Sequence, residues 1–154
     1  MYQKVMVPLD GSELAECVLS HVETIVEGCQ AKNVVFVRAV EPLHLHGGLE
    51  SRFPPEERQR LDEAGMNYAG KYLDDLISKL KYKGVNMQSE VLFGHAAASL
   101  TDYAEKNDFD LIIIATHGRS GVSRWVWGSV ADRILRSSQV PVLMVRAPGC
   151  TVGI

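Results

Sequence analysis

The stretch DLIIIATHGRSG, residues 110–121, decides the fold. Five apolar residues, Leu111–Ala115, run directly into a polar turn of His, Gly, Arg and Ser. A short, apolar, isoleucine-rich run bounded in this way reads as a strand buried on both faces. Asp110–Thr116 is the most apolar strand candidate in the chain and is therefore placed at the centre of a sheet. Working outward, Lys4–Leu9 (KVMVPL), Asn33–Val40 (NVVFVRAV), Asn86–Phe93 (NMQSEVLF) and Val142–Arg146 (VLMVR) read as four more strands. Between them lie helical patterns. Leu14, Val18, Val22 and Ile25 recur at helical spacing after Asp10-Gly11-Ser12, with Gly28 as the stop. Pro55–Lys83 carries Leu61, Ala64, Tyr68, Leu73, Leu76 and Leu80 as its inward positions, with Gly84 as its stop. Ala96–Asn107 and Gly128–Ser137 complete the helices.

Strand and helix alternate, and that pattern builds a parallel sheet with helices on both faces. Right-handed crossovers leave few topologies. With the two most apolar strands, Lys4–Leu9 and Asp110–Thr116, side by side, the expected fold is a doubly wound, open, parallel five-stranded α/β sheet of order 3-2-1-4-5. Residues 1–147 are expected to form one domain, with 148–154 as a tail. Glu41–Pro55, with Gly47-Gly48 and Pro54-Pro55, reads as a long loop.

Composition narrows the function classes. The 154 residues are 46% hydrophobic and 23% charged, an ordinary globular balance. The longest apolar runs, Leu111–Ala115 and Val140–Val145, fall far short of the roughly 20 residues that cross a bilayer, so no membrane role is expected. Sixteen Lys+Arg against 19 Asp+Glu give a net charge of −3, which argues against nucleic acid as the partner. Three cysteines, Cys17, Cys29 and Cys150, without a C-x-x-C pair fit a reducing compartment. No secretory h-region follows Met1, and the expected location is the cytoplasm.

In an open doubly wound sheet, ligands sit beyond the strand carboxyl ends where the winding reverses. Here that crevice lies between the first and fourth strands, walled by Pro8-Leu9-Asp10-Gly11-Ser12 and Ala115–Gly121. The second wall has the chemistry of an anion cradle. Gly118 and Gly121 let backbone N–H groups approach an anion, and Gly128-Ser129 open a helix whose N-terminus favours negative charge. Ser120, Ser123, Arg119 and Arg124 add donors. Asp10 serves either as a cap for the following helix or as a ligand contact, and His117 is a polar residue of the same crevice. Between Arg119 and Arg136 stand four Arg and one acid, Asp132, a local excess suited to a small polyanion.

Other motifs fail. Gly65–Tyr72 imitates G-x-x-x-x-G-K-[ST] but lacks the final hydroxyl and lies inside a helix. There is no G-x-G-x-x-G, and Gly118-Arg-Ser-Gly121 is not a nucleophile elbow. His44 and His46 read as a solvated pair, and Trp125 and Trp127 as packing or subunit-contact residues.

The segments VPLDGS (7–12), DLIIIATHGRSG (110–121), WGSVADRIL (127–135) and VPVLMVR (140–146) resemble the universal stress protein family. The resemblance spans nearly the whole chain. The ATP-binding branch of that family carries G-x₂-G-x₉-G-[ST]. Gly118 and Gly128-Ser129 fit it, whereas Ala115 stands in place of the first glycine. Ala115 keeps the N–H and adds a methyl, so ATP binding of reduced affinity is implied. The resemblance implies that Pro8, Leu9 and Asp10 contact the nucleotide and that Val40 touches the adenine. Ala115, His117, Gly118, Arg119, Gly128, Ser129 and Val130 would surround ribose and phosphates, with Mg²⁺ or Mn²⁺ carried by the phosphates. It also implies a homodimer through the last strand, Val142, Leu143, Met144 and Val145, whose edge position suits pairing. Three classes stay open: an ATP-binding stress regulator, a slow ATPase or nucleotidyl-transfer enzyme in the same crevice, and a nucleotide-independent interaction module. The expectation is a regulator, at most a weak ATPase, because nothing supplies the second acidic metal ligand or the base of fast phosphoryl transfer.

Overall fold

The computed structural model of the chain describes residues 2–43, 53–116 and 128–146. Five strands, β1 (Lys4–Pro8), β2 (Asn33–Val40), β3 (Asn86–Phe93), β4 (Leu111–Ala115) and β5 (Val142–Val145), form one sheet of order β3-β2-β1-β4-β5. Every neighbouring pair is parallel. The expected order and winding are therefore the observed ones. The helices are α1 (Glu13–Glu16), α2 (Leu19–Cys29), α3 (Pro55–Lys79), α4 (Ala96–Lys106) and α5 (Ser129–Ser137).

The sheet divides the core by the two-residue period of its strands. Val5, Val7, Val34, Phe36, Leu111 and Ile113 pack with Val22, Val26, Leu73 and Leu76 of α2 and α3. Met6, Val35, Val37, Ile112 and Ile114 pack with Ala97, Leu100, Ala104 and Ile134 of α4 and α5. Asp110 ties the base of the sheet together: its carboxylate accepts from Gln3 N at 2.7 Å and from Lys4 N at 3.2 Å.

One register detail shapes the site. β1 pairs with β2 over five residues, Lys4↔Asn33 to Pro8↔Val37. It pairs with β4 only at Val5↔Leu111 and Met6↔Ile112. Successive N–H groups of a strand point to opposite neighbours. Leu9 N donates to Val37 O of β2 at 2.9 Å, so the N–H that proline lacks at position 8 is the one that would face β4. β1 and β4 part at this point, and a crevice opens between them.

Three local expectations are corrected. The first helix is split: Val18 N reaches back only three residues, to Ala15 O at 3.5 Å, and α2 starts at Leu19. Its stop is Gln30, with φ +53°, rather than Gly28. Ala31 N donates to Val26 O at 3.2 Å and both side chains are buried together, a Schellman closure whose apolar contact decides where the helix ends. α3 ends at Lys79, and its early apolar positions face solvent: Leu61 is 42% and Tyr68 66% exposed. The 25 residues of α3 span about 37 Å at 1.5 Å per residue. An eight-residue strand spans about 26 Å, so the first turns of α3 overrun the sheet they cover.

Tyr82, just after α3, donates its hydroxyl to Leu19 O at 2.8 Å. Burial, reinforced by Glu23, pushes its phenol up from 10.0 to about 12. The folded state thus holds the phenolic proton more tightly than the unfolded chain. The stability this contributes is complete below pH 10 and is lost as pH rises from 10 to about 12. The urea midpoint is expected to fall across that window, and less steeply in Tyr82→Phe; identical slopes would refute the assignment.

Candidate functional site

The crevice between β1 and β4 encloses a cavity of about 230 Å³. β1 and its exit contribute Pro8, Leu9 and Asp10; β4 contributes Ile114, Ala115 and Thr116; α5 contributes Gly128, Ser129, Val130 and Ala131. Ala39 of β2 and Ala96 and Leu100 of α4 close the far side. The expected site residues Pro8, Leu9, Asp10, Ala115, Gly128, Ser129 and Val130 are therefore brought together. Val40 is not among the lining residues: a Cβ built on Gly65 of α3 would stand 3.4 Å from its Cγ1. Its neighbour Ala39 meets the cavity instead. His117, Gly118, Arg119 and Gly121 lie outside the described residues, as do Ser120, Ser123, Arg124, the two tryptophans, His44, His46 and residues 147–154.

Asp10 does not cap α1 itself; it holds Ser12, the residue that does, and it lines the cavity. Its Oδ1 accepts from Ser12 N at 2.9 Å and Ser12 Oγ at 2.6 Å, while the residue lines the cavity. Ser12 Oγ in turn accepts from Ala15 N at 3.2 Å and caps α1. The wall is thus a self-bonded turn.

The two helix N-termini at the crevice differ. At α4, Ala96 N donates to a Glu41 carboxylate oxygen at 3.2 Å. At α5 the cap is Gly128, which offers no side chain, and the first intrahelical bond runs from Asp132 N to Gly128 O at 2.9 Å. The amides of Ser129, Val130 and Ala131 precede that bond, so the helix leaves them for another acceptor. Gly128 N donates to Thr116 O at 2.6 Å, which anchors the start of α5 to the end of β4. A Glu41 carboxylate thus caps the first amide of α4, whereas α5 has no cap from the side chain of its own N-cap residue.

Two arginines of the basic stretch lie off this site. Arg136 pairs with Asp132 at 3.0 Å on an exposed face of α5, and Arg133 is also exposed. These two arginines belong to a solvated helix face. The charge count along the sequence did not separate them from Arg119 and Arg124. Ala96 and Leu100 were missed as lining residues, although the topology carries a signal for them: α4 must cross on the same face as α5. Among the described residues no group of three or more His, Cys, Asp or Glu is placed to hold a metal ion, and no helix is long and apolar enough to cross a membrane.

The universal stress protein family model matches residues 1–146. The chain belongs to the universal stress protein family. It is 30% identical over 150 residues to universal stress protein MJ0531 of Methanocaldococcus jannaschii, covering 96% of this chain and 84% of that protein. The solved structure of MJ0577, a second universal stress protein of that organism, superposes with a TM-score of 0.73 at 25% identity, covering 95% and 96% of the two chains. More distant members share the fold. One from Arabidopsis thaliana was solved with AMP bound, at TM-score 0.64 and 13% identity over 94% of this chain and 92% of that one. One from Archaeoglobus fulgidus was solved with dAMP, at TM-score 0.55 and 20% identity over 93% and 97%.

Proposed function

We propose that this universal stress protein is a cytoplasmic regulator that binds ATP in the crevice between β1 and β4. The observation that carries the reading is the contrast between the two helix N-termini. A ligand with one uncharged and one polyanionic end suits a cavity between a helix start capped by a carboxylate, α4, and one with no side-chain cap of its own, α5. At about 230 Å³ the cavity is just under the roughly 300–1,000 Å³ usual for ligand pockets and takes the nucleoside end. Ala39 meets the base, and Pro8, Leu9 and Asp10 meet the base and ribose. Ala115, Gly128, Ser129 and Val130, with His117, Gly118, Arg119 and Gly121, surround ribose and phosphates. A divalent cation, Mg²⁺ or Mn²⁺, arrives on the phosphates. The AMP and dAMP found in family members support the adenine assignment. Among the described residues β5 pairs only with β4, and its outer edge, with half-buried Val142, Leu143 and Met144, is where a second copy joins to make a homodimer.

Isothermal titration with ATP and Mg²⁺ tests this. One ATP per chain is expected, with adenosine weaker and inorganic triphosphate weaker still. Absence of heat at the highest protein concentration would sink the nucleotide reading.

A further inference from the structure

Arg38 is the one charged side chain in the buried class among the described residues, at 7% exposure. It breaks an otherwise apolar run, since Val34 to Val37 around it on β2 are all buried. Burying a cation is costly unless its surroundings hold it, and a local rule broken in a core strand points to a task. The surroundings are specific. The Arg38 Cζ lies 5.4 Å from the ring centroid of Tyr68 and 5.3 Å from that of Tyr72. These rings stand one turn apart on α3 and hold the guanidinium by cation–π attraction. Tyr72 is itself fixed, donating its hydroxyl to Glu16 Oε1 at 2.8 Å.

The other side of the guanidinium meets the wall of the crevice. A Cβ placed on Gly11 would stand 2.9 Å from Nη1 and 3.2 Å from Cζ of Arg38. Gly11, with φ +85°, is therefore required twice, for its left-handed backbone and for the space the arginine fills. Directly before it, Asp10 lines the cavity. The guanidinium therefore lies under the glycine that follows Asp10, and Glu16 holds one of the two rings that face it.

We propose that Arg38 is a positioning residue of the crevice. Clamped between Tyr68 and Tyr72, it seats the Asp10–Gly11 turn from below and holds the Leu9–Asp10 wall in its binding shape before a ligand arrives. The consequence for ATP rests on the function proposed above; the seating of the turn does not.

Amide hydrogen exchange of the ligand-free protein reads the seating, and ATP titration reads its consequence. Arg38→Met, similar in length but uncharged, is expected to speed exchange at Ser12 and Ala15 at least tenfold while Met6 and Ile112 keep their protection. ATP affinity should fall at least fivefold, and Arg38→Lys should recover most of both losses. If Arg38→Met fails to fold, Tyr68→Leu at an exposed position serves instead, with a twofold to fivefold loss of ATP affinity and faster exchange at the same two amides. Unchanged exchange at Ser12 and Ala15, acceleration spread evenly over the sheet, or Lys performing no better than Met would each overturn the proposal. Local acceleration in a protein whose parent form binds no ATP would uphold the seating and remove the nucleotide reading instead.

Discussion

Phe36→Ala is expected to destabilise the fold by about 3–5 kcal/mol. Phe36 is completely buried at the centre of β2, paired with Val7 of β1 on one side and Ser89 of β3 on the other. Its ring belongs to the half of the core shared with Leu73 and Val22. Truncation removes apolar area and leaves a cavity that a strand paired on both sides cannot collapse to fill. Against a total stability of roughly 5–15 kcal/mol, the loss corresponds to a drop of about 6–20 °C in Tm for a chain of this size. Leu135→Ala is the internal control: that side chain is 47% exposed, and its removal is expected to change stability by no more than about 0.5 kcal/mol. Thermal unfolding followed by circular dichroism checks both. A Phe36→Ala loss no larger than the Leu135→Ala loss would contradict the two-sided core described here.

The sheet was legible because its signals are redundant. Four strands are largely apolar runs of four to eight residues closed by polar or turn residues, and β3, NMQSEVLF, alternates as an outer strand does. The position of Pro8 carried more than a strand end: the N–H it lacks is the one that would face β4, so a single residue marks both where β1 stops and where the crevice opens. Helix ends were less legible because tertiary contacts decide them. Gly28 had the right local chemistry for a stop, but the burial of Ala31 against Val26 moved the end to Gln30. Tyr68 followed the helical period of the inward residues and yet is 66% exposed; period alone does not say how far a helix outruns its sheet. What exposes one face of Tyr68 frees its ring to hold Arg38.

The site was legible where chain position fixes it and illegible where packing does. Pro8, Leu9, Asp10, Ala115, Gly128 and Ser129 follow from the switch-point rule, since they terminate or begin elements at the reversal of winding. Ala39, Ala96 and Leu100 reach the cavity only because β2 and α4 pack on that face. The arginine cluster shows the same limit from the other side. Arg133 and Arg136 are near Gly128 in sequence, but the helical turn carries them onto solvent, where Arg136 spends its charge on Asp132.

Gly128→Val separates the proposed phosphate site from the rest of the crevice. Gly128 has φ −50° and ψ 131°, a backbone region that valine adopts readily, so the substitution adds an isopropyl group without left-handed strain. Gly128 lines the cavity together with Ser129, Val130 and Ala131, so the added group falls at the start of the helix whose amides the phosphates are proposed to meet. Hydrogen bonds to a charged group are worth about 1.5–3 kcal/mol each. Blocking one such contact predicts a tenfold to hundredfold rise in the Kd for ATP. Adenosine, with no phosphate to lose, should weaken by less than threefold, about 0.6 kcal/mol. Ser129→Ala removes a hydroxyl and keeps the amide, so its effect on ATP should be smaller than that of Gly128→Val. The homodimer proposed through β5 should be unaffected in sedimentation, because Gly128 lies at the opposite end of α5 from the chain that enters β5. If ATP and adenosine weaken equally, the valine has disturbed the nucleoside end, and the assignment of phosphates to α5 is wrong. If neither weakens, the crevice between β1 and β4 is not where the nucleotide binds.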